Sequence, residues 1–465
     1  MNPVRLVEPR RLAAALEAAR PRRFGRVERV VGLHLEVSGL DAAIGDAVVI
    51  FAPTGKVGGE VVALHGDRIV CMPFGDLHGL RTGAPVWTPG HPPTISVGRP
   101  LLGRVLDGLG QPIDGRPLGV GGCPPDPGGV SRLRQSAGLE TVTVDGTAPH
   151  PLLRANVDRP LPLGVRALDT LIPCGRGQRL GIFAGSGVGK SSLLSMIARG
   201  TEAQVSVLAL VGERGREVRE FLERDLGPEG LARSVVVVAT SDQPALVRLR
   251  AAFTATRIAE WFRDQGMDVV LMMDSLTRFA MAQREVGLSA GEPPATRGYP
   301  PSVFSLLPRL LERAGAGTPG GSGMSPGKTA GSITGLYTVL VDGDDMDEPI
   351  ADCARSILDG HVVLSRRLAS AGHFPTIEVL DSISRVSGAI TTPEQKTAAV
   401  GLRRLLAAER EVKDLVEIGA YVAGTNADAD RALALSAEIR RFLCQDMDEV
   451  APAAESWARL RELVA

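Results

Sequence analysis

The sequence is poor in aromatic residues and in cysteine, and its charges almost cancel. Of its 465 residues, 4% are aromatic and five are cysteine, and the formal net charge is −1. Few aromatic rings leave few platforms for nucleic-acid bases, and no basic excess attracts phosphate to the whole chain. The cysteines are odd in number and unpaired in spacing, which favours a reducing compartment over a disulfide framework. They are Cys71, Cys123, Cys174, Cys353 and Cys444.

Long hydrophobic runs are missing as well. No apolar run approaches the ~18 residues that a membrane-spanning helix needs. The first residues carry charges without the apolar stretch of a secretory signal, so we expect a cytoplasmic protein. Because 44% of the residues are hydrophobic, a chain of this length is expected to fold as two or three domains with substantial cores.

One glycine-rich segment lies between a predicted strand and a predicted helix. The apolar run Leu180–Phe183 predicts the strand, and Ser192–Arg199 predicts the helix. Glycines let backbone N–H groups curl around phosphate oxygens, and the N-terminus of the helix favours negative charge. The segment is Ala184, Gly185, Ser186, Gly187, Val188, Gly189, Lys190 and Ser191, with Ser192 next.

The spacing of this segment is that of a phosphate-binding loop for a nucleoside triphosphate. Lys190 would reach the β- and γ-phosphates, and the Ser191 hydroxyl would hold Mg²⁺. The usual pattern begins with glycine where this chain has Ala184, but the four-residue gap and the following Gly-Lys-Ser are intact. The strand before and the helix after favour this reading over a chance glycine-rich turn.

After the loop, apolar strands and helices alternate, which predicts an α/β domain with a mostly parallel, covered sheet. Ligands bind such sheets at the carboxyl ends of the strands. Lys190, Glu213 and Asp274 each follow a predicted strand. The strands are expected at Val205–Val211, Ser234–Ala239, Met267–Met273 and Ile333–Val341, and the helices at Arg216–Asp225, Pro244–Arg263 and Leu276–Val286.

Hydrolysis of a nucleoside triphosphate requires a held Mg²⁺, an oriented water and stabilised charge on the γ-phosphate. Asp274 has the position of the carboxylate that steadies the Mg²⁺ shell, through a water. Glu213 can accept a hydrogen bond from the attacking water and polarise it. Arg214 and Arg278 are candidates for orienting or neutralising nearby carboxylates, and each also reads as a surface arginine.

Arg385 follows the polar and apolar alternation of Asp381–Ser384. A guanidinium can stabilise the negative charge of phosphoryl transfer and can come from a neighbouring subunit. A simple salt bridge explains the same arginine, and the local residues alone do not decide between the two.

The residues before the loop predict an appended helix and a small barrel. Residues 1–24 combine leucines at helical spacing with many arginines, which reads either as a solvated helix or as a docking helix for a partner or an anionic membrane surface. Short β-rich runs broken by glycine from Gly25 to about Val97 predict a small barrel with a structural role. Residues 116–150 are expected to form a loop.

The last part of the chain predicts a helical domain from about Val386. Helices are expected at Pro393–Val416, Ala427–Asp446 and Ser456–Val464. Earlier in the chain, before the strand expected at Ile333–Val341, the Gly- and Pro-rich stretch Ala314–Ser332 is expected to be a mobile surface loop.

Several long motifs resemble the F-type and V-type rotary ATPase family and, more narrowly, the type III protein export ATPases. The resemblance covers about residues 25–465. It implies a barrel at 25–98, a phosphate-loop ATPase domain at 99–385 and a helical domain at 386–465, with a docking helix at 1–24. The motifs are Leu102–Gly115, Gly181–Leu194, Gly212–Val218, Met272–Val286, Gly291–Phe304, Asp359–Arg367 and Ala371–Val386.

The resemblance implies a homohexameric ring that binds ATP and Mg²⁺ between subunits. Glu213 then matches the catalytic glutamate, and Arg385 matches an arginine finger supplied to the neighbouring subunit. Phe374 falls where the family places an aromatic ring against the adenine. Met447 falls near a second aromatic of that pocket, and this departure implies looser base recognition.

The resemblance also implies partners and a location. Residues 292–304 would line the central pore and grip a coiled-coil stalk protein, and the N-terminal helix would dock a regulatory protein. Export-gate membrane proteins, exported substrates and their chaperones complete the expected partners, with no nucleic acid among them. The protein is expected in the cytoplasm, peripheral at the inner face of the cell membrane.

Several machines share this core. The flagellar export ATPase is favoured by Gly185–Gly189 and Ala295–Pro301, and the injectisome ATPase of virulence-type secretion is the close alternative. A ring-shaped RNA translocase would need a basic, aromatic-bearing barrel. A synthase catalytic subunit and a non-hydrolysing ring subunit are further readings. The last is disfavoured by the intact Lys190, Glu213 and Asp274.

Overall fold

The computed structural model describes residues 23–118, 138–318, 331–341 and 345–465. The predicted docking helix lies outside these ranges, apart from its last two residues. Within the described ranges, no helix is both long enough and apolar enough to cross a bilayer.

Six antiparallel strands close into a barrel at the start of the described chain, in the order β1-β2-β5-β4-β3-β6. Alternate side chains point inward, and Val27, Leu35, Val37, Val48 and Ile50 are each at most 1% exposed. The predicted N-terminal barrel is therefore confirmed. Its strands are β1 (Gly25–Val31), β2 (His34–Ser38), β3 (Ala47–Ala52), β4 (Gly55–His65), β5 (Arg68–Pro73) and β6 (Pro85–Trp87).

A nine-stranded sheet forms the centre of the molecule. The β-strands that follow the barrel are β7 (Thr94–Val97), β8 (Arg104–Asp107), β9 (Glu140–Thr143), β10 (Arg179–Ala184), β11 (Val205–Glu213), β12 (Ser234–Thr240), β13 (Asp268–Asp274), β14 (Gly315–Ala316), β15 (Ser332–Leu340), β16 (Gly360–Leu364) and β17 (Ile377–Ser384). The order is β17-β16-β10-β15-β13-β11-β12-β8, and β14 pairs with β15. Only the β16–β17 and β14–β15 pairings of this sheet are antiparallel. The predicted α/β core with a mostly parallel sheet is confirmed.

Helices cover the central sheet, because its strands are apolar on both faces. Val207 and Val235 on one face, and Leu208, Val236 and Val270 on the other, are at most 1% exposed. The helices are α1 (Arg166–Leu171), α2 (Lys190–Gly200), α3 (Gly215–Glu220), α4 (Gly227–Ala232), α5 (Ala245–Asp264), α6 (Leu276–Ser289), α7 (Pro301–Leu311), α8 (Pro349–Ile357), α9 (Arg366–Ser370) and α10 (Ser387–Ile390).

The C-terminal domain is helical, as predicted. Its longest helix begins with a capping box, in which the Thr392 side chain accepts from the N–H of Gln395 and the Gln395 side chain accepts from the N–H of Thr392. The helices are α11 (Pro393–Glu417), α12 (Ala427–Ala434), α13 (Ser436–Leu443) and α14 (Ala453–Val464).

The structure corrects four of the sequence-based expectations. Residues 116–150 were expected to form a loop, but Glu140–Thr143 within them forms β9, which pairs with β7.

The other three corrections lie later in the chain. The described start of Ala314–Ser332 is not a surface loop, because Gly315–Ala316 forms β14 and is buried. The single helix expected at Ala427–Asp446 is broken at Leu435 into α12 and α13, which lets α13 turn its own apolar face to the core. The helix expected at Arg216–Asp225 continues from α3 as a π-helix over Phe221–Leu226.

The strand order decides where the candidate residues lie. β10, β15, β13 and β11 are consecutive neighbours and run parallel, so their carboxyl ends share one edge of the sheet. The phosphate loop follows β10, Asp274 ends β13, and Glu213 ends β11. The fold therefore brings three residues that are distant in sequence to one place.

Candidate active site

The glycine-rich segment joins β10 to α2 as a tight loop. Gly187 and Gly189 adopt φ angles of 76° and 92°, which L side chains rarely allow. A Cβ built on either residue meets no atom within 4 Å, so the space beside the loop is open. Gly189 caps α2 without a side-chain hydrogen bond, so the N–H groups of the first turn lack a side-chain cap. The loop has the features of an anion cradle.

The Lys190 ammonium lies between two carboxylates. Its Nζ contacts the carboxylate of Asp274 and lies 3.4 Å from Oε1 of Glu213. Asp274 is only 3% exposed, and its Oδ1 also accepts a hydrogen bond of 2.8 Å from the Thr338 hydroxyl. Thr338 lies on β15, between the strands that carry the loop and Asp274. These contacts fix the side chains in a largely buried cluster.

A kink in β11 aims Glu213 into this cluster. The pairing register with β12 shifts between Val211 and Glu213, and Gly212 has a φ of 71°. A Cβ on Gly212 would lie 3.1 Å from Cβ of Arg278, so the stem of Arg278 occupies the space that a side chain would need. Glycine at this position is therefore required by both conformation and packing.

Burial and charge shift the pKa values of the two functional groups. Burial lowers the pKa of Lys190, but the carboxylates of Asp274 and Glu213 outweigh it, and the net shift is upward. Burial raises the pKa of Glu213; the Lys190 charge opposes the rise, and the Asp274 carboxylate adds to it. The lysine therefore stays charged, and Glu213 is a stronger base than an exposed glutamate.

Ser191 faces the same region from the first turn of α2. It lines a small cavity together with Glu213, Glu217 and Asp274. A hydroxyl and carboxylates around one cavity are the hard oxygen donors that Mg²⁺ takes beside phosphate oxygens, so the residues fit that ion. Ser192, the next residue, is half-buried.

The two nearby arginines differ in their surroundings. The side chain of Arg214 is 78% exposed, with Nη1 3.4 Å from the Glu217 carboxylate, so it lies outside the buried cluster. The Nε of Arg278 is buried and has no hydrogen-bond partner in the described part of the chain. Arg278 is therefore the better placed of the two to meet an incoming anion.

Arg385 lies away from the Lys190 cluster of its own chain. It follows β17, the edge strand, which runs antiparallel to β16, and β16 and β10 separate β17 from β15. Its side chain is exposed, and its Nη2 lies 3.4 Å from the carbonyl oxygen of Arg355. Across the residues that the structure describes, no carboxylate forms an ion pair with it. The salt-bridge reading of Arg385 therefore has no partner there.

Phe374 and Met447 are both tied to the phosphate loop and its helix. The phenyl ring of Phe374 is 50% exposed, and the N–H of Gln445 donates to the Phe374 carbonyl at 2.9 Å. Two residues further on, the Thr376 hydroxyl donates to the carbonyl of Val188 in the loop at 2.6 Å. Arg199, at the end of α2, contacts the Met447 carbonyl. Thr376 therefore ties the segment of Phe374 to the phosphate loop, whereas the contact of Met447 is at the far end of α2.

Sequence analysis missed two supports of this site. Thr338 lies inside an apolar strand. A hydroxyl in such a strand could have indicated that Thr338 supports the site. Gln445 is buried and bridges the C-terminal domain to the ATPase domain: its Oε1 accepts from the N–H of Arg166, and its Nε2 donates to the carbonyls of Gly164 and Glu449 at 2.8 Å. No local pattern around Gln445 indicates this role.

Comparisons with known families match all three parts of the chain. Residues 27–87 match the ATP synthase alpha/beta family, beta-barrel domain, and residues 164–384 match the nucleotide-binding domain of the same family. Residues 391–462 match the T3SS EscN ATPase C-terminal domain.

Individual relatives are similar over nearly the whole chain. The flagellum-specific ATP synthase of Bacillus subtilis is 49% identical over 445 residues, which is 95% of each chain. The type 3 secretion system ATPase of Xanthomonas euvesicatoria is 48% identical over 431 residues, which is 92% of this chain and 91% of the relative. The solved structure of the assembled ATPase EscN from enteropathogenic E. coli has a TM-score of 0.84 at 43% identity, over 95% of this chain and 100% of that chain. EscN in complex with its central stalk EscO gives a TM-score of 0.82 at the same identity and coverage.

Proposed function

This chain belongs to the ATP synthase alpha/beta family, among the flagellar and type III secretion ATPases, and on that premise we propose that it powers flagellar type III protein export as a homohexameric ring. ATP hydrolysis follows from the family itself. The observation that carries the hydrolytic part of the proposal is the Lys190 ammonium held between Glu213 and Asp274 at the N-terminus of α2.

The cluster supplies the parts that hydrolysis needs. The loop N–H groups hold the phosphates of ATP, and Lys190 turns from the carboxylates to the β- and γ-phosphate oxygens. Once released from Lys190, the Glu213 carboxylate accepts a hydrogen bond from the attacking water and takes its proton. Arg278, whose buried Nε finds no partner among the residues that the structure describes, is positioned to compensate charge beside Glu213. Arg214 is less suited to this role, because its side chain is largely exposed.

Ser191 and Asp274 would hold the Mg²⁺ that accompanies ATP. Their fit rests on the shared cavity and on the burial of the Asp274 carboxylate. When bound, Mg²⁺ neutralises phosphate charge during transfer. The hydroxyl of Ser191 would bind the ion directly, and Asp274 would act through water.

The ring is proposed because one chain carries both halves of a site. Arg385 is exposed, lacks an acidic partner among the described residues, and lies away from its own phosphate loop. In a ring, each Arg385 would reach the γ-phosphate bound by the next subunit, as an arginine finger does. The similarity to the assembled ATPase EscN supports this arrangement. In the proposed ring, each subunit would contribute a barrel domain at residues 25–98, an ATPase domain at residues 99–385 and a helical domain at residues 386–465.

The adenine would lie between Phe374 and the segment of Met447. The exposed phenyl ring offers a stacking surface, and methionine offers a flexible contact, so base recognition would be loose. The hydrogen bonds from Gln445 and Thr376 hold this end of the pocket to the loop.

The partners follow from the proposed machine. Residues 292–304 would contact a coiled-coil stalk in the pore, which the likeness to EscN bound to its stalk EscO supports. The N-terminal 24 residues would dock a regulatory protein, and the ring would work at the cytoplasmic face of the membrane with gate proteins, exported substrates and chaperones.

The injectisome ATPase remains the second candidate, because the identity to the Xanthomonas secretion ATPase, 48%, nearly equals the 49% to the Bacillus flagellar protein. A capture experiment separates the two. Glu213→Gln protein held in Mg·ATP should retain its partners, and Lys190→Ala protein serves as the unloaded control. Recovery of flagellar export components supports the proposal. Recovery of injectisome components moves the chain to the alternative, and recovery of RNA contradicts both.

A further inference from the structure

Asp359 holds together two parts of the molecule that serve different active sites in the proposed ring. It lies between α8 and β16 and uses both its side chain and its backbone. Its carboxylate accepts from the N–H, Nε and Nη2 of Arg179 at 3.0, 3.1 and 3.2 Å. Its carbonyl oxygen accepts from the N–H of Arg385 at 3.0 Å.

Gln178 adds a second connection next to the first. Its Nε2 donates to the carbonyl of Asp359 and to the hydroxyl of Ser384, each at 3.1 Å. Gln178 is fully buried and Ser384 is 6% exposed. The backbone of Arg385 is therefore anchored through two neighbouring residues, Asp359 and Ser384, and each of them bonds to the start of β10.

The backbones of β16 and β17 pack closely beside Asp359. A Cβ on Gly360, the residue after Asp359, would lie 2.4 Å from the carbonyl oxygen of Ile383 on β17. The backbones of β16 and β17 thus approach as closely as only glycine permits. Arg179 is the first residue of β10, and β10 ends at Ala184, where the phosphate loop begins.

We infer that Asp359 is a positioning residue for Arg385 and that it acts on the nucleotide of the neighbouring subunit rather than on that of its own. The carboxylate fixes the Asp359 backbone through Arg179, and this backbone sets where the Arg385 chain leaves the sheet. The inference rests on the proposed role of Arg385 in trans. Loss of the carboxylate leaves the phosphate loop of the same chain intact and loosens the finger.

The first test is the turnover of Asp359→Asn protein. Because a misplacement of about 1 Å can cost on the order of 10²-fold in rate, we expect kcat to fall by about that factor, with nucleotide affinity unchanged. The matched control is Glu312→Gln. Glu312 also pairs with Arg179 but does not bond to Arg385, so its loss should leave kcat within about twofold. Wild-type kcat in Asp359→Asn would overturn the inference.

The decisive test mixes subunits before assembly. Asp359→Asn with Lys190→Ala should regain turnover, because some interfaces combine an intact phosphate loop from the first with an intact finger from the second. Asp359→Asn with Arg385→Ala should stay inactive, because every finger is then defective. Rescue by Arg385→Ala instead, or by neither partner, would overturn the inference.

The benchmark for these mixtures is Lys190→Ala with Arg385→Ala, which does not involve Asp359. Failure of the benchmark would contradict the in-trans finger itself, whereas failure of only the Asp359→Asn mixtures would contradict the positioning role. If Asp359→Asn does not fold, Ser384→Ala removes the second anchor more gently. It should show a smaller loss with the same pattern of rescue, and the opposite pattern would contradict the inference.

Discussion

The Nζ of Lys190 lies 3.4 Å from the Oε1 of Glu213, so the residue proposed to bind phosphate contacts the residue proposed to activate water. The two are 23 positions apart and meet because β10 and β11 end at the same edge of the sheet.

Lys190→Ala should abolish nucleotide binding. The change removes the cation that faces the β- and γ-phosphates and leaves two carboxylates that repel them, so affinity should fall at least ~100-fold. Titration with a fluorescent ATP analogue measures this. The control Lys396→Ala, on α11, should bind normally, and unchanged affinity in Lys190→Ala would contradict the assigned role.

Glu213→Gln should bind ATP but not turn it over. The amide keeps the shape of the side chain but cannot take a proton, and loss of a general base costs roughly 10²- to 10⁴-fold. Single-turnover hydrolysis together with nucleotide titration separates chemistry from binding. Wild-type turnover would show that another group activates the water.

The stability of the protein without nucleotide should depend on pH through the titration of Glu213. Because burial raises its pKa, the folded state takes up a proton at Glu213 more readily than the unfolded chain does. The stability contributed by protonation is therefore present at acid pH and lost as the pH rises through the raised pKa. As the pH rises above the ordinary pKa of a glutamate, the Tm of Glu213→Gln should therefore rise relative to wild type. Glu223→Gln, at an exposed site, should show no such trend, and a pH-independent Tm difference for Glu213→Gln would argue against the shift.

Phe374→Ala should weaken nucleotide binding with little effect on kcat. Stacking of a base on an aromatic ring contributes about 1–3 kcal/mol, so KM should rise by roughly 10-fold. Phe374→Tyr should restore binding, and Met447→Tyr should tighten it by adding a second ring. If both aromatic replacements leave KM unchanged, the adenine binds elsewhere.

Gly212→Ala should impair hydrolysis more than binding. The new Cβ would lie 3.1 Å from Cβ of Arg278, and the alanine would have to adopt the φ of 71° that Gly212 has. Glu213 or Arg278 must therefore shift. We expect kcat to fall by about 10²-fold, as for other small misplacements of catalytic groups. Gly215→Ala, where a Cβ meets no atom within 4 Å, is the matched control. Equal activity in the two variants would contradict the packing argument.

Much of the fold could be predicted from sequence because its core strands are continuous apolar runs. Runs such as Val205–Val211 are buried on both faces, and the polar residues that follow them mark the strand ends. That pattern also led to Lys190, Glu213 and Asp274 as neighbours. The barrel of short strands could likewise be predicted from the spacing of its glycines.

Other features depend on tertiary contacts that leave no local pattern. The strands β16 and β17 alternate in burial at the sheet edge and were not predicted as strands. The side chain of Gln445 bonds to Arg166 and Gly164, which are 279 and 281 positions away. The break at Leu435 follows from how α13 packs. Long-range contacts of this kind cannot be read from neighbouring residues.

The measurement that tests the central claim most directly is ATP turnover by a mixture of Lys190→Ala and Arg385→Ala subunits. Each variant alone should hydrolyse ATP poorly. The turnover of Arg385→Ala should be about 10³-fold or more below that of wild type, although this variant should still assemble. In an equal mixture, about a quarter of the interfaces pair an intact phosphate loop with an intact finger, so turnover should return to a similar fraction of wild type. A mixture as inactive as its parts would contradict a site shared between subunits.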